Sequence, residues 1–143
     1  MIICQLDKNS VNQILELYSG NFSDGWSKSM LESGFDGGRL KAIGAFIEDK
    51  MVGVITFSLS LDDADIEGVV VHKQFRAKGI GQQLIESAHE AIKKQKIKAV
   101  LLEVRQSNKT AISLYQKVGY QQIAVRKNYY SDGENALVLK KEF

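Results

Sequence analysis

The sequence contains no proline, one cysteine, one tryptophan and two histidines among 143 residues. With Cys4 alone, no intrachain disulfide can form, and a metal site built on several cysteines is excluded. His72 and His89 lie far apart with no carboxylate-rich cluster, so neither a Ser-His-Asp triad nor a metal site finds support. No run approaches the ~18 uninterrupted apolar residues of a membrane span. The opening MIICQLDKNS lacks the basic lead and long apolar run of a signal peptide. Charge of one sign is scarce too: a net +2 is too small to argue for nucleic acid or an anionic membrane. Together these absences read as a cytoplasmic protein. The missing proline has no functional account, although average usage of ~5% predicts several.

What is present is ordinary globular composition, 44% hydrophobic and 25% charged. The length fits one domain, 1–143, able to bury roughly 68–70% of its unfolded surface. No repeat, linker or low-complexity tract divides it. Ile2–Leu6 reads as a strand. Asp7, Asn9 or Ser10 can cap a helix bearing Val11, Ile14, Leu15 and Tyr18 on one side. Ser27 caps a second short helix ending near Gly34, and Gly37-Gly38 is loop. Leu40–Ile47 and Met51–Leu61 are β-branched-rich runs around a Glu48-Asp49-Lys50 hairpin signal.

The second half is more regular. Ile66–Val71 is a strand, and a helix runs from Ile80 to about Gln95 with Leu84, Ile85, Ala88 and Ile92 on one face. Ala99–Val104 is a strand. Ser107 or Asn108 caps a helix carrying Ala111, Leu114, Tyr115 and Val118, which Gly119 ends. Gln122–Arg126 and Asn135–Lys140 complete a strand pair. This order predicts an α/β (α+β) fold, a mixed, mostly antiparallel sheet flanked by helices. Its central parallel pair is Ile66–Val71 with Ala99–Val104, joined by the crossover helix.

Arg76-Ala77-Lys78-Gly79-Ile80-Gly81 sits between a strand and the long helix. Glycines let the backbone turn tightly, so consecutive amide N–H groups can point into one concavity, and the helix start adds partial positive charge. That is a phosphate cradle, with Arg76 and Lys78 beside it. A plain strand-to-helix turn with solvated charges satisfies the same pattern. The dinucleotide fingerprint is excluded, because Leu84 holds its third-glycine position, and a Walker loop lacks its Gly-Lys-Ser/Thr.

Taken with the rest of the chain, this turn after a Val-rich strand resembles the pyrophosphate loop of the GNAT acetyltransferase superfamily. Leu102-Glu103-Val104-Arg105-Gln106-Ser107-Asn108, then Ala111-Ile112-Ser113-Leu114-Tyr115 and Val118-Gly119-Tyr120, are similar to its later acetyl-CoA region. More narrowly, Trp26-Ser27, the Leu-Glu-Val-Arg-x-Ser-Asn run and Arg126-Lys127-Asn128-Tyr129-Tyr130 resemble the RimI-type ribosomal-protein alanine N-acetyltransferases. The sequence departs from that family at Gly25, usually proline, and at Glu67-Gly68, where an Asn-containing stretch is more frequent.

The resemblance implies acetyl-CoA as co-substrate and no metal. Backbone groups of Val69, Val70 and Val71 would hold the pantetheine arm and supply an oxyanion donor. Arg76, Ala77, Lys78, Gly79, Ile80, Gly81 and Gln82 would cradle the pyrophosphate, and Asn108 would bond the pantetheine amides. Glu103 would be general base and Tyr115 general acid, with Trp26, Glu67, Tyr129 and Tyr130 around the acceptor. The residues themselves support this in part. A carboxylate at a strand's C-terminal end, flanked by Leu102 and Val104, lies where such sheets bind ligands, and partial burial would raise its pKa. A phenol that stays protonated near neutrality can protonate a thiolate.

Blander roles compete with these. Glu103 could pair with Arg105 or a lysine, Tyr115 could be a core aromatic, and Glu67 is a rival base. His72 and His89 read as surface residues, Cys4 as a small buried hydrophobe, and Lys93–Lys98 as a solvated helix end or an attractor for the CoA 3′-phosphate. Three functions fit: acetylation of a protein N-terminus, on a ribosomal protein beginning with alanine or serine; acetylation of a small amine; and non-catalytic CoA binding. The presence of both an acid and a base argues against the last. A monomer or weak dimer is expected, without nucleic-acid or membrane partners.

Overall fold

A computed structural model describes residues 1–19 and 27–143. The elements run β1 (Ile2–Leu6), α1 (Val11–Ser19), α2 (Lys28–Asp36), β2 (Leu40–Ile47), β3 (Lys50–Leu59) and β4 (Asp63–Val71). They continue as α3 (Ile80–Lys94), β5 (Ala99–Arg105), α4 (Lys109–Lys117), β6 (Gln121–Arg126) and β7 (Ala136–Glu142). The strands form one sheet in the order β1-β2-β3-β4-β5-β7-β6. Every pairing is antiparallel except the central β4–β5 pair, as the crossover through α3 requires. The mixed sheet with its one parallel pair is as expected.

Two cores lie on the sheet's opposite faces. Under α3 and α4, Leu84, Ile85, Ile92, Ile112 and Tyr115 pack on Ile55, Phe57, Val100 and Leu102. Under α1 and α2, Ile14, Leu17, Tyr18 and Leu31 pack on Ala42, Val54 and Val70. The helices form because their apolar residues recur at three and four. Caps set their starts: Ser27 Oγ accepts the Met30 N–H at 3.2 Å, and Asn108 Oδ1 accepts that of Ala111 at 3.2 Å.

Two irregularities in the sheet shape the site. Parallel pairing of β4 with β5 runs only from Asp63–Ala99 to Ile66–Leu102. Beyond it β4 stays with β3 as far as Val71, and β5 stays with β7 as far as Arg105. The two C-terminal halves therefore part into a cleft. Second, Ile66 faces Phe57 while Gly68 faces Thr56, so Glu67 is the extra residue of a β-bulge. The bulge exchanges the strand's faces. Ala64 and Ile66 belong to the core under α3, Val70 belongs to the core under α1, and Val69 and Val71 turn toward the first. Gly68 is needed there, since a Cβ would stand 3.0 Å from the Tyr18 hydroxyl.

Several boundaries differ from expectation. α2 runs past Gly34 to Asp36, because Gly34 is a point of close approach, its Cβ position 2.8 Å from Leu40 Cβ, rather than a stop. β3 ends at Leu59, leaving Leu61 97% exposed. The hairpin before it is a two-residue turn, with Glu48 and Asp49 at φ 50° and 65°. Cys4 is exposed, not buried: β1 is a sheet edge and its partner Gly44 has no side chain to cover the thiol. His89 is buried rather than on the wet face. Its Nε2 lies 2.7 Å from the Tyr120 hydroxyl, and the chain end brings Phe143 against its ring.

Candidate active site

The parted ends of β4 and β5 open a cleft of about 800 Å³. Its floor and walls come from β4, the turn after it, the start of α3, the end of β5 and α4. Along one side, the edge of β4 at Val69, Val70 and Val71 has no parallel partner strand, because pairing with β5 stops at Ile66. An extended ligand laid there can bond the strand as a further strand does.

That edge leads to the glycine turn. Ala77 and Gly79 both take left-handed backbone, φ 61° and 81°. Such conformations turn successive N–H groups toward one point. α3 begins directly after Gly79, whose position as N-cap supplies no side-chain hydrogen bond. The helix's first N–H groups thus keep their capacity for an anion, and the helix dipole favours one. Gly81 is the close contact: a Cβ there would come 3.3 Å from Leu114 of α4. Arg76 and Lys117 add positive charge to the cleft lining, and Arg76 Nε donates to the Val71 carbonyl at 3.0 Å. The residues fit a pyrophosphate joined to a narrow arm, the shape of acetyl-CoA.

Glu67, Glu103 and Tyr115 also line the cleft. Glu67 accepts a hydrogen bond from Ser58 Oγ at 2.7 Å. Burial, and then the Asp65 carboxylate, hold its pKa above the usual carboxylate range despite that bond. Glu103 lies more in the open than expected. Its carboxylate pairs with Arg126 at 3.0 Å, not with Arg105 or a lysine, and the side chain is 32% exposed. The strand's alternation accounts for this, since Leu102 and Val104 take the buried face. Arg126 also lies 4.4 Å from the centre of the Tyr129 ring, and a hydrogen bond to Glu103 pushes the Tyr129 hydroxyl's pKa up.

Tyr115 is 8% exposed, with its ring edge-on to Tyr120. Burial pushes its pKa well above the ordinary phenol value, so it keeps its proton at all physiological pH. It belongs to the core and lines the cleft at once. The elements thus bring together Glu67, Val69–Val71, Arg76, Ala77, Gly79–Gln82, Glu103, Asn108, Tyr115 and Tyr130 around one cleft. Lys78 is not among its lining and lies over the Phe75 ring, 5.7 Å from its centre. Tyr129 stands outside it, 44% exposed, and Trp26 lies outside the described residues. Sequence reasoning missed Thr110, Leu114 and Lys117. They face the cleft from α4 at a helical spacing of four and three, a signal readable from Asn108 onward.

Among the described residues no three His, Cys, Asp or Glu side chains group as a metal site. Nor, among them, is any helix long and apolar enough to cross a membrane.

An open central parallel pair, a bulged strand and an uncapped glycine-started helix are joined here by a matching family model. Residues 11–120 match that of the acetyltransferase (GNAT) family, and the chain belongs to that family. It is an acetyl-CoA-dependent N-acetyltransferase. Among its relatives, the [ribosomal protein bS18]-alanine N-acetyltransferase of Haemophilus ducreyi is 31% identical over 132 residues, 90% of each chain. The crystal structure of the Escherichia coli ribosomal-protein-S18-alanine N-acetyltransferase superposes with a TM-score of 0.90 at 26% identity, over 99% of this chain and 92% of that one. A GNAT family acetyltransferase from Elizabethkingia anophelis, solved with acetyl-CoA bound, shares the fold at a TM-score of 0.73 and 20% identity, over 82% of this chain and 84% of its own.

Proposed function

We propose that the chain acetylates the N-terminal α-amine of a protein, a ribosomal protein beginning with alanine or serine, in the cytoplasm. Glu103 acts as general base and Tyr115 as general acid. The observation that carries this reading is the parting of β4 and β5. It leaves an edge of β4 without a partner strand, open to a thioester arm, and two glutamates and a protonated phenol line the same cleft. The relative from Haemophilus ducreyi, similar over most of both chains, supports the acceptor.

When bound, acetyl-CoA supplies an acetyl thioester. Glu103 takes a proton from the acceptor ammonium, directly or through a water. The freed amine attacks the thioester carbon and the C–S bond breaks. N–H groups at the β4 edge stabilise the charge on the carbonyl oxygen, an effect worth about 2.7–4 kcal/mol in other acyl-transfer enzymes. The thiolate takes a proton from Tyr115, and the surplus proton on the new amide nitrogen restores the phenol. An α-amine of pKa about 7.7–8.0 needs only ~1–1.4 kcal/mol to lose its proton at pH 7, whereas a lysine near 10.4 needs ~4.6 kcal/mol. One carboxylate suits the smaller task.

Glu67 as base is a second reading, favoured by one observation: burial raises its pKa toward that of the amine it would serve. A panel of acceptors tests the function. CoA release should be fastest with peptides carrying a free N-terminal alanine or serine. Faster release with polyamines or free amino acids would move the enzyme to the small-amine class.

A further inference from the structure

Arg105 closes β5, two positions beyond Glu103 on the same strand. Its Nη1 donates to Asp132 Oδ2 and to Glu134 Oε1, both at 2.8 Å, and its guanidinium lies 4.1 Å from the centre of the Tyr130 ring. The other oxygen of Glu134 accepts the backbone N–H of Ser107 at 2.8 Å, immediately before the cap of α4. Asp132 Oδ1 in turn accepts the N–H of Glu134. The β6–β7 loop is thereby tied to the start of the helix that carries Tyr115. Arg105 and Glu134 are only 21% and 24% exposed, against 55% and 32% for Arg126 and Glu103. Water competes far less for the first pair than for the second. Glu103 can exchange its partner for an incoming ammonium while the Arg105 anchor stays fixed.

We propose that Arg105 is a positioning residue for the acceptor's second and later residues. It holds Tyr130 and the β6–β7 loop as the wall those residues lie along, so its contribution grows with acceptor length. The proposal rests on the peptide acceptor argued above. Arginine is required by the geometry, since one planar group meets two carboxylates and an aromatic face together; lysine offers a point charge and no stacking plane. Without the cation, Asp132 and Glu134 repel across the gap and Tyr130 loses the group it stacks on. An acceptor that ends at its first residue does not reach this wall.

The test compares alanine amide with an alanine-initiated hexapeptide in wild type, Arg105→Lys, Arg105→Gln and Glu134→Gln. The ratio of kcat/KM for hexapeptide over alanine amide should fall at least ~10-fold in Arg105→Gln, chiefly through KM, and by less in Arg105→Lys. Acetyl-CoA Kd should stay within about twofold in all four proteins. Arg105→Gln and Glu134→Gln should be non-additive when combined, as for groups in one network. Equal losses for both acceptors, or no loss for the hexapeptide, would overturn the proposal while leaving the peptide acceptor standing. A wild-type enzyme that does not prefer the hexapeptide would overturn the acceptor itself, and this proposal with it.

Discussion

As the proposed general acid, Tyr115 must keep its proton, as a phenol does near neutrality, and be open enough to reach a leaving group. Its ring packs in the core while the residue lines the cleft. Tyr115→Phe keeps that packing and removes only the hydroxyl. It should lower kcat by about 10²–10⁴ with acetyl-CoA Kd little changed. Glu103→Gln should lower kcat in the same range, with partial recovery at high pH, where the amine deprotonates unaided. Should Glu67→Gln cost far more, the buried carboxylate is the base. The pH dependence of stability turns on another residue. Burial, and then Lys141 and Lys93, lower the His89 pKa to about 4. The unfolded imidazole binds its proton near 6.5, so stability is full above that value and is lost as pH falls toward 4. His89→Gln, which can still bond Tyr120, should flatten this part of a thermal-melt profile relative to wild type. Identical acid limbs in the two proteins would contradict the assignment.

At the scale of elements, the proposed binding rests mostly on the unit from β4 through the glycine turn to α3. Its composition made it legible: a valine run, glycines in a turn, then an apolar stripe at helical spacing. The bulge at Glu67 was not legible, because Asp63–Val71 alternates buried and less buried residues without a break. Only the register against β3 reveals that the faces change places. Gly68 was the one hint, a strand glycine where another group comes close. His89 was misread for a related reason. Periodicity within α3 gives the stripe facing the sheet, but not the arc that Tyr120 and Phe143 cover from elsewhere in the chain. The binding role of α3 makes a prediction of its own. Acetyl-CoA at 100 times its Kd should stabilise the fold by about 2.7 kcal/mol. Gly81→Asp, forcing a side chain against Leu114 and a negative charge toward the phosphates, should abolish that gain. An unchanged melting temperature of wild type in millimolar acetyl-CoA would remove the basis for the cradle.

Across the whole molecule, the proposed cofactor side and the proposed acceptor side are encoded differently. The proposed cofactor side is nearly continuous in sequence, from Val69 to Gln82, where motif and pattern point to it. The acceptor side is assembled from β4, β5, α4 and the β6–β7 loop, each held by distant partners: Ser58 for Glu67, Arg126 for Glu103, Arg105 for Tyr130. Such pairings depend on which strands become neighbours. β7 intervenes between β5 and β6, and no local spacing announces that. The proposed service of this assembled half to a protein's α-amine is open to a direct test. One competition measures it: two peptides of one sequence share a reaction, one with a free N-terminal alanine, the other N-blocked with an internal lysine, and mass spectrometry follows both. The free α-amine should be acetylated much the faster. Faster acetylation of the blocked peptide would contradict it.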